Sequence, residues 1–173
     1  MTDASHTASS APAPGSPSGV PSAHVDRFCA DRLPPPEQWP ELTGIDHYPA
    51  RLNAAELLLE PGRATPEAIA YRRGDDAWTY AHLDDQVRRL SAALAGRGLV
   101  PGNRVLIRGF NSPEMAAAIL GCLHAGLVAV PTMPLLRAAE LEKIAARAQV
   151  NAVLVDHRLR SEIDLATLPA TGG

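Results

Sequence analysis

Apolar side chains recur along this chain at two spacings, and the switches between them outline its elements. Ala68 to Arg72 reads as a strand, Gly74-Asp75-Asp76 as a hairpin turn, and Ala77 to Thr79 as the return strand. Leu83, Val87, Leu90 and Leu94 then fall on one helical face. They predict a helix over 80–97, capped by Thr79 and ended by Gly98. Pro101-Gly102 marks a turn, and Arg104 to Arg108 predicts a strand centred on Val105, Leu106 and Ile107. Asn111-Ser112-Pro113 opens a helix from Glu114 to Ala125 that is apolar nearly all round, so it is expected to be buried. Gly126 ends it, and Leu127 to Val130 gives a short strand stopped by Pro131. Leu141, Ile144, Ala145 and Ala148 mark one face of a further helix, and Ala152 to Asp156 a last strand. Upstream, Asn53 is placed to cap a helix from Ala54 to Glu60, closed by Pro61-Gly62. Strands alternating with helices predict an α/β fold of mostly parallel βαβ units, with one antiparallel hairpin beside them.

The N-terminal stretch has another character. Residues 1–22 are Ser, Ala, Pro, Gly and Thr with almost no large apolar side chain, a composition that cannot offset its ordering entropy; the expectation is a disordered tail. Residues 23–52 read as an arm. Ser22 can cap a short helix carrying Val25, Phe28 and Cys29, and Pro34-Pro35-Pro36 ends it. Trp39, Leu42 and Tyr48 are expected to anchor the arm on a domain surface.

Composition removes several function classes. A net charge of -3 gives no electrostatic reason to expect nucleic acid or an anionic membrane as partner. The two cysteines, Cys29 and Cys122, lie in different predicted elements without metal-ligand spacing, and read as reduced, buried side chains. The longest apolar run, from Met115 to Val130, is broken by Gly121, His124 and Gly126, and no signal-peptide pattern is seen, so a cytoplasmic location is expected. His24, His47, His82, His124 and His157 are scattered over different elements without a paired carboxylate or nucleophile. Arg158 and Arg160, after the last strand, read as a solvated charge run.

Three stretches carry a resemblance. Trp78-Thr79-Tyr80-Ala81-His82-Leu83 is similar to the s/w-T-Y-x-E-L element that opens adenylate-forming (AMP-binding) enzymes, with His82 where the family usually has Glu. Val100 to Arg108, followed by Asn111-Ser112-Pro113, resembles the next stretch of that family, with Asn103 in place of Asp. Leu123-His124-Ala125-Gly126 through Pro131 resembles its L-K-A-G-x-x-x-V-P element, with His124 in place of Lys. The loop Thr132 to Arg137 with Glu140-Leu141, and the arm Ala23 to Pro40, resemble benzoate- and 2-aminobenzoate-CoA ligases.

That resemblance implies an ATP-dependent aryl-CoA ligase acting with Mg and CoA on an aromatic carboxylate. It implies that residues 53–173 are a partial AMP-binding domain, truncated before the family's Ser/Thr/Gly-rich phosphate loop. No catalytic, cofactor-binding or metal residue is therefore expected within this chain; Thr171-Gly172-Gly173 is too short for the loop, and Lys143, the sole lysine, lies among polar helix neighbours. In some acyl-CoA ligases arginines near Arg158 and Arg160 touch the CoA nucleotide. The alternative is a non-catalytic module that associates with a partner or with a separately encoded ligase remainder.

Overall fold

The computed structural model describes residues 33–168, apart from Leu42 and Ile45. The expected tail, the helix capped by Ser22, His24, Cys29, the Leu42 anchor and the terminal Thr171-Gly172-Gly173 lie outside the described residues.

Three parallel strands form the centre. They are β3 (Arg104–Arg108), flanked by β4 (Val128–Thr132) and β5 (Ala152–Val155), in the order β4-β3-β5. A separate antiparallel hairpin is made by β1 (Ile69–Arg73) and β2 (Asp76–Thr79). The helices are α1 (Ala54–Ala64), α2 (Tyr80–Gly96), α3 (Pro113–His124), α4 (Ala138–Arg147) and α5 (Arg160–Leu165). Every residue of β3 is buried because helices cover both faces of the sheet. Val105 and Ile107 pack with Leu94, Cys122 and Leu127 on one face, while Leu106 meets Ala145 and Val150 on the other. A second core joins Leu59, Leu83, Val87 and Ala117 of α1, α2 and α3.

The caps form as the residue types dictate. Thr79 Oγ1 accepts from the His82 amide at 3.2 Å, and Ser112 Oγ from the Met115 amide at 3.2 Å. Asn53 Oδ1 accepts from the Ala55 and Glu56 amides, while its Nδ2 donates to the Leu123 and His124 carbonyls at the far end of α3. One side chain thus satisfies two helix termini. As expected, α3 is enclosed: only Glu114 among its residues is exposed.

Three expectations need correction. Pro61-Gly62 does not close α1, which runs on to Ala64 with Pro61 inside it. The proline forfeits one ladder bond, but buried Leu59 and Gly62 on either side hold the helix by packing. Gly62 is there for closeness: a Cβ at that position would overlap the Tyr80 ring and lie 2.8 Å from the Tyr80 Cβ. Pro131 does not stop β4 either, which continues through it to Thr132. The Val128 amide points at β3, donating to the Asn103 carbonyl at 2.9 Å. Amides alternate along a strand, so the Pro131 nitrogen falls on the outer side, where no ladder bond is lost. Finally, the described residues of the arm from Leu33 to Leu52 are all exposed, Trp39 at 53% and Tyr48 at 45%, so these rings do not anchor it. Trp39 instead closes a local turn, its Nε1 donating to the Pro34 carbonyl at 2.7 Å. No helix among the described residues is long and apolar enough to cross a membrane.

Candidate functional site

In parallel α/β sheets, ligands collect outside the carboxyl ends of the strands. At that end of β3 and β5 two clefts meet at Arg108. The smaller, about 200 Å³, is bounded by the loop after β4 (Pro134 to Arg137) and by Arg158, Leu159, Ser161 and Glu162. The larger, about 470 Å³, lies between Ile107 to Phe110, the start of α3 and the end of β5 at Asp156 and His157.

Arg108 is only 2% exposed; it donates to backbone carbonyls, and its charge also helps to hold the Glu162 carboxyl low. Its Nη2 donates to the Pro134 and Leu136 carbonyls at 2.9 and 2.8 Å, Nη1 to Met133 at 3.1 Å, and Nε to Leu159 at 3.4 Å. Two further arginines, Arg137 and Arg158, edge the smaller cleft, each paired with a carboxylate, and Arg160 lies nearby outside it. Arg158 lies 2.6 Å from Asp156, and its guanidinium sits 4.6 Å from the Phe110 ring centre. Hydrogen bonds from Arg158, first its side chain and then its backbone, hold the Asp156 carboxyl far below the usual range. Arg160 pairs with Asp164 four residues on, as a solvated charge run would. Arg137 contacts Glu162 at 2.8 Å, and Glu162 also accepts from the Ala138 amide at the start of α4. Both bonds hold the Glu162 carboxyl low.

The start of α3 is not arranged for a phosphate. Ser112 caps it, and the Glu114 carboxyl in its first turn is held low by the Ser112 hydrogen bond and by backbone, so that end already carries an anion. Among the described residues no group of three or more His, Cys, Asp or Glu could hold a metal ion. Cys122 is buried, and desolvation pushes its thiol up to about 11, an unreactive setting.

One arrangement corrects the reading of scattered histidines. His124 Nδ1 lies 2.8 Å from Ser91 Oγ, and Nε2 lies 2.9 Å from Glu56 Oε1. The order serine, histidine, carboxylate matches a hydrolytic triad, but the surroundings do not. Ser91 is buried in mid-helix, neither Ser91 nor His124 lines a described cleft, and Glu56 is already bonded to Arg63 and Arg88. The group clasps α1, α2 and α3 together. Spacing could not reveal it, since its members sit 33 and 68 residues apart in contact pairs drawn from three helices. Of the other described histidines, His82 meets the Trp78 ring edge-on, His47 lies beside Tyr48, and His157 is 3.6 Å from Asp156.

Comparison with known proteins adds the following. A family model described as "AMP-binding enzyme" matches residues 59–171. The salicyl-AMP ligase / salicyl-S-ArCP synthetase of Mycobacterium tuberculosis (strain ATCC 25618 / H37Rv) is 36% identical over 104 residues, which is 57% of this chain and 18% of that protein. Among solved structures, a benzoate CoA ligase from Burkholderia xenovorans LB400 superimposes with a TM-score of 0.63 at 26% identity, over 66% of this chain and 23% of that one. The anthranilate CoA ligase AuaEII, in complex with anthranoyl-AMP, gives 0.64 at 23% identity over 68% of this chain and 23% of that one, a likeness of fold. This chain therefore spans about a fifth of the length of these relatives.

Proposed function

This chain belongs to the family of AMP-binding enzymes, and on that premise we propose that it is the N-terminal part of an ATP-dependent aryl-CoA ligase. The reaction proceeds in two steps. A carboxylate oxygen attacks the α-phosphorus of Mg-bound ATP and pyrophosphate leaves; the CoA thiol then attacks the acyl carbon and AMP leaves. The observation that carries the aryl assignment is the similarity to proteins named for salicylate and benzoate. Benzoate or 2-aminobenzoate is the proposed substrate, in keeping with the Thr132 to Arg137 loop.

Within the described residues, the role proposed for this segment lies in the second step. The smaller cleft, edged by Arg137 and Arg158, offers guanidinium groups to the phosphates of CoA once Glu162 and Asp156 release them. Because this chain spans about a fifth of the length of its relatives, the adenylation chemistry is assigned to the remainder of such an enzyme, and the 173-residue chain alone is expected to be inactive. Association with that remainder is favoured by β5, an outer strand of the sheet whose four residues stay half-buried.

The test is ATP–pyrophosphate exchange by the protein expressed from the complete reading frame that contains this chain. Benzoate or 2-aminobenzoate should drive exchange, and hexanoate should not. Exchange driven equally by hexanoate would overturn the aryl assignment, and no exchange with any acid would overturn the ligase reading. Exchange by the isolated chain would overturn its expected inactivity.

A further inference from the structure

We propose that Arg108 is a positioning residue whose buried guanidinium ties the 133–136 loop to the 157–159 turn as one unit, and so sets the opening of the smaller cleft. The clause about CoA below rests on the ligase reading given above; the clamp itself does not.

The loop after β4 presents its carbonyls inward. Met133, Pro134 and Leu136 all aim oxygens at the end of β3, and Pro134 has no amide with which to continue a ladder. The Leu136 amide also serves the Met133 carbonyl, whereas the half-buried Pro134 and Leu136 carbonyls take their donors from Arg108. A guanidinium carries five N–H groups in a planar fork, which suits it to several carbonyls at once. Arg108 uses that fork in two directions, reaching three loop carbonyls through Nη1 and Nη2 and the Leu159 carbonyl through Nε. A lysine, a single point donor, cannot span the same set.

Burying this charge is itself costly even with the Glu162 carboxylate near enough to feel it, and an apolar residue would suffice for packing alone. What the arginine adds is linkage. The two segments it joins carry the walls of the cleft: Pro134 to Arg137 on one side, Arg158, Leu159 and Glu162 on the other. Arg137 and Glu162 bridge the same walls at 79% and 18% side-chain exposure, so their contact lies at the rim while Arg108 lies at the floor. Opening the rim pair to admit an anion therefore leaves the floor in place.

Amide hydrogen exchange on the 173-residue chain tests the clamp directly. The Leu136 amide donates to the Met133 carbonyl and the Leu159 amide to the Asp156 carbonyl, so each reports on one wall. In Arg108→Lys both should exchange about tenfold faster while amides of α2 and α3 keep their protection. Acceleration of one wall alone would overturn the proposal. Should Arg108→Lys not fold, Pro134→Gly decides, because it loosens the loop without touching the buried charge. Faster exchange at Leu159 as well as Leu136 supports the linkage; an effect confined to Leu136 overturns it.

In the ligase, Arg108→Lys should raise KM for CoA roughly tenfold while ATP–pyrophosphate exchange changes less than about twofold. Equal loss of both would reduce Arg108 to a general structural role and overturn its part in the cleft. A wild-type enzyme without exchange would defeat the ligase reading and leave the hydrogen-exchange result to judge the clamp.

Discussion

The His124 imidazole and the Glu56 carboxylate meet at 2.9 Å across the junction of α3 and α1, and Glu56 also receives Arg63 at 2.7 Å and Arg88 at 3.4 Å. Arg63 and Arg88 both continue to Asp84, so one alternating chain of charge joins three helices. The hydrogen bond from Arg63 holds the Glu56 carboxyl low; burial pushes Asp84 up, but Arg88 and Arg63 outweigh it. Carboxyls depressed in the folded state contribute stability that is present above their unfolded value and lost as pH falls through the folded one. Thermal stability should therefore drop as pH is lowered from about 5 to about 3. Glu56→Gln should flatten that drop and, because the group is more than a third exposed, cost only about 0.5–1 kcal/mol at pH 7. Melting curves of both proteins across that range check both statements.

Asn53→Ala should cost more than an ordinary cap. It removes two acceptor contacts at the start of α1 and two donor contacts to the end of α3. A loss of about 2 kcal/mol in urea denaturation is expected, whereas Asn53→Asp, which keeps the acceptor and loses the donor, should fall between.

Gly62→Ala should destabilise by about 1–3 kcal/mol, although alanine is the better helix former by about 1 kcal/mol. The added Cβ overlaps the Tyr80 ring. Measured in a Tyr80→Ala background, the same substitution should become neutral or stabilising, and a double-mutant cycle reads that coupling.

Cys122 should resist alkylation in the native chain. It is fully buried with its thiol pushed up to about 11, so in a Cys29→Ser background no thiol should react with a disulfide reagent at pH 8 until denaturant is added.

The elements legible in the sequence were those set by neighbours along the chain. Thr79, Ser112 and Asn53 are caps because of what their side chains can accept within three residues, and the parallel order of strands follows from the helices between them. What escaped depended on partners far away. Pro61 and Pro131 looked like stops because local rules count a missing amide, and cannot see that α1 is held by packing or that the Pro131 nitrogen faces an open edge. The Ser91–His124–Glu56 group and the four carbonyls around Arg108 needed three helices, or a loop and a turn, to converge first. Arg108 in particular reads as one more cation at a strand end until the burial of all five β3 residues is known.

Pro131 also gives the sheet a handedness of growth. Its missing donor lies on the outer margin of β4, so a further strand approaching there would find a gap in its ladder, as protected edges commonly present. The opposite margin, along Ala152 to Val155, contains no proline. A strand adding to this sheet would therefore find an uninterrupted row of donors only on the β5 side.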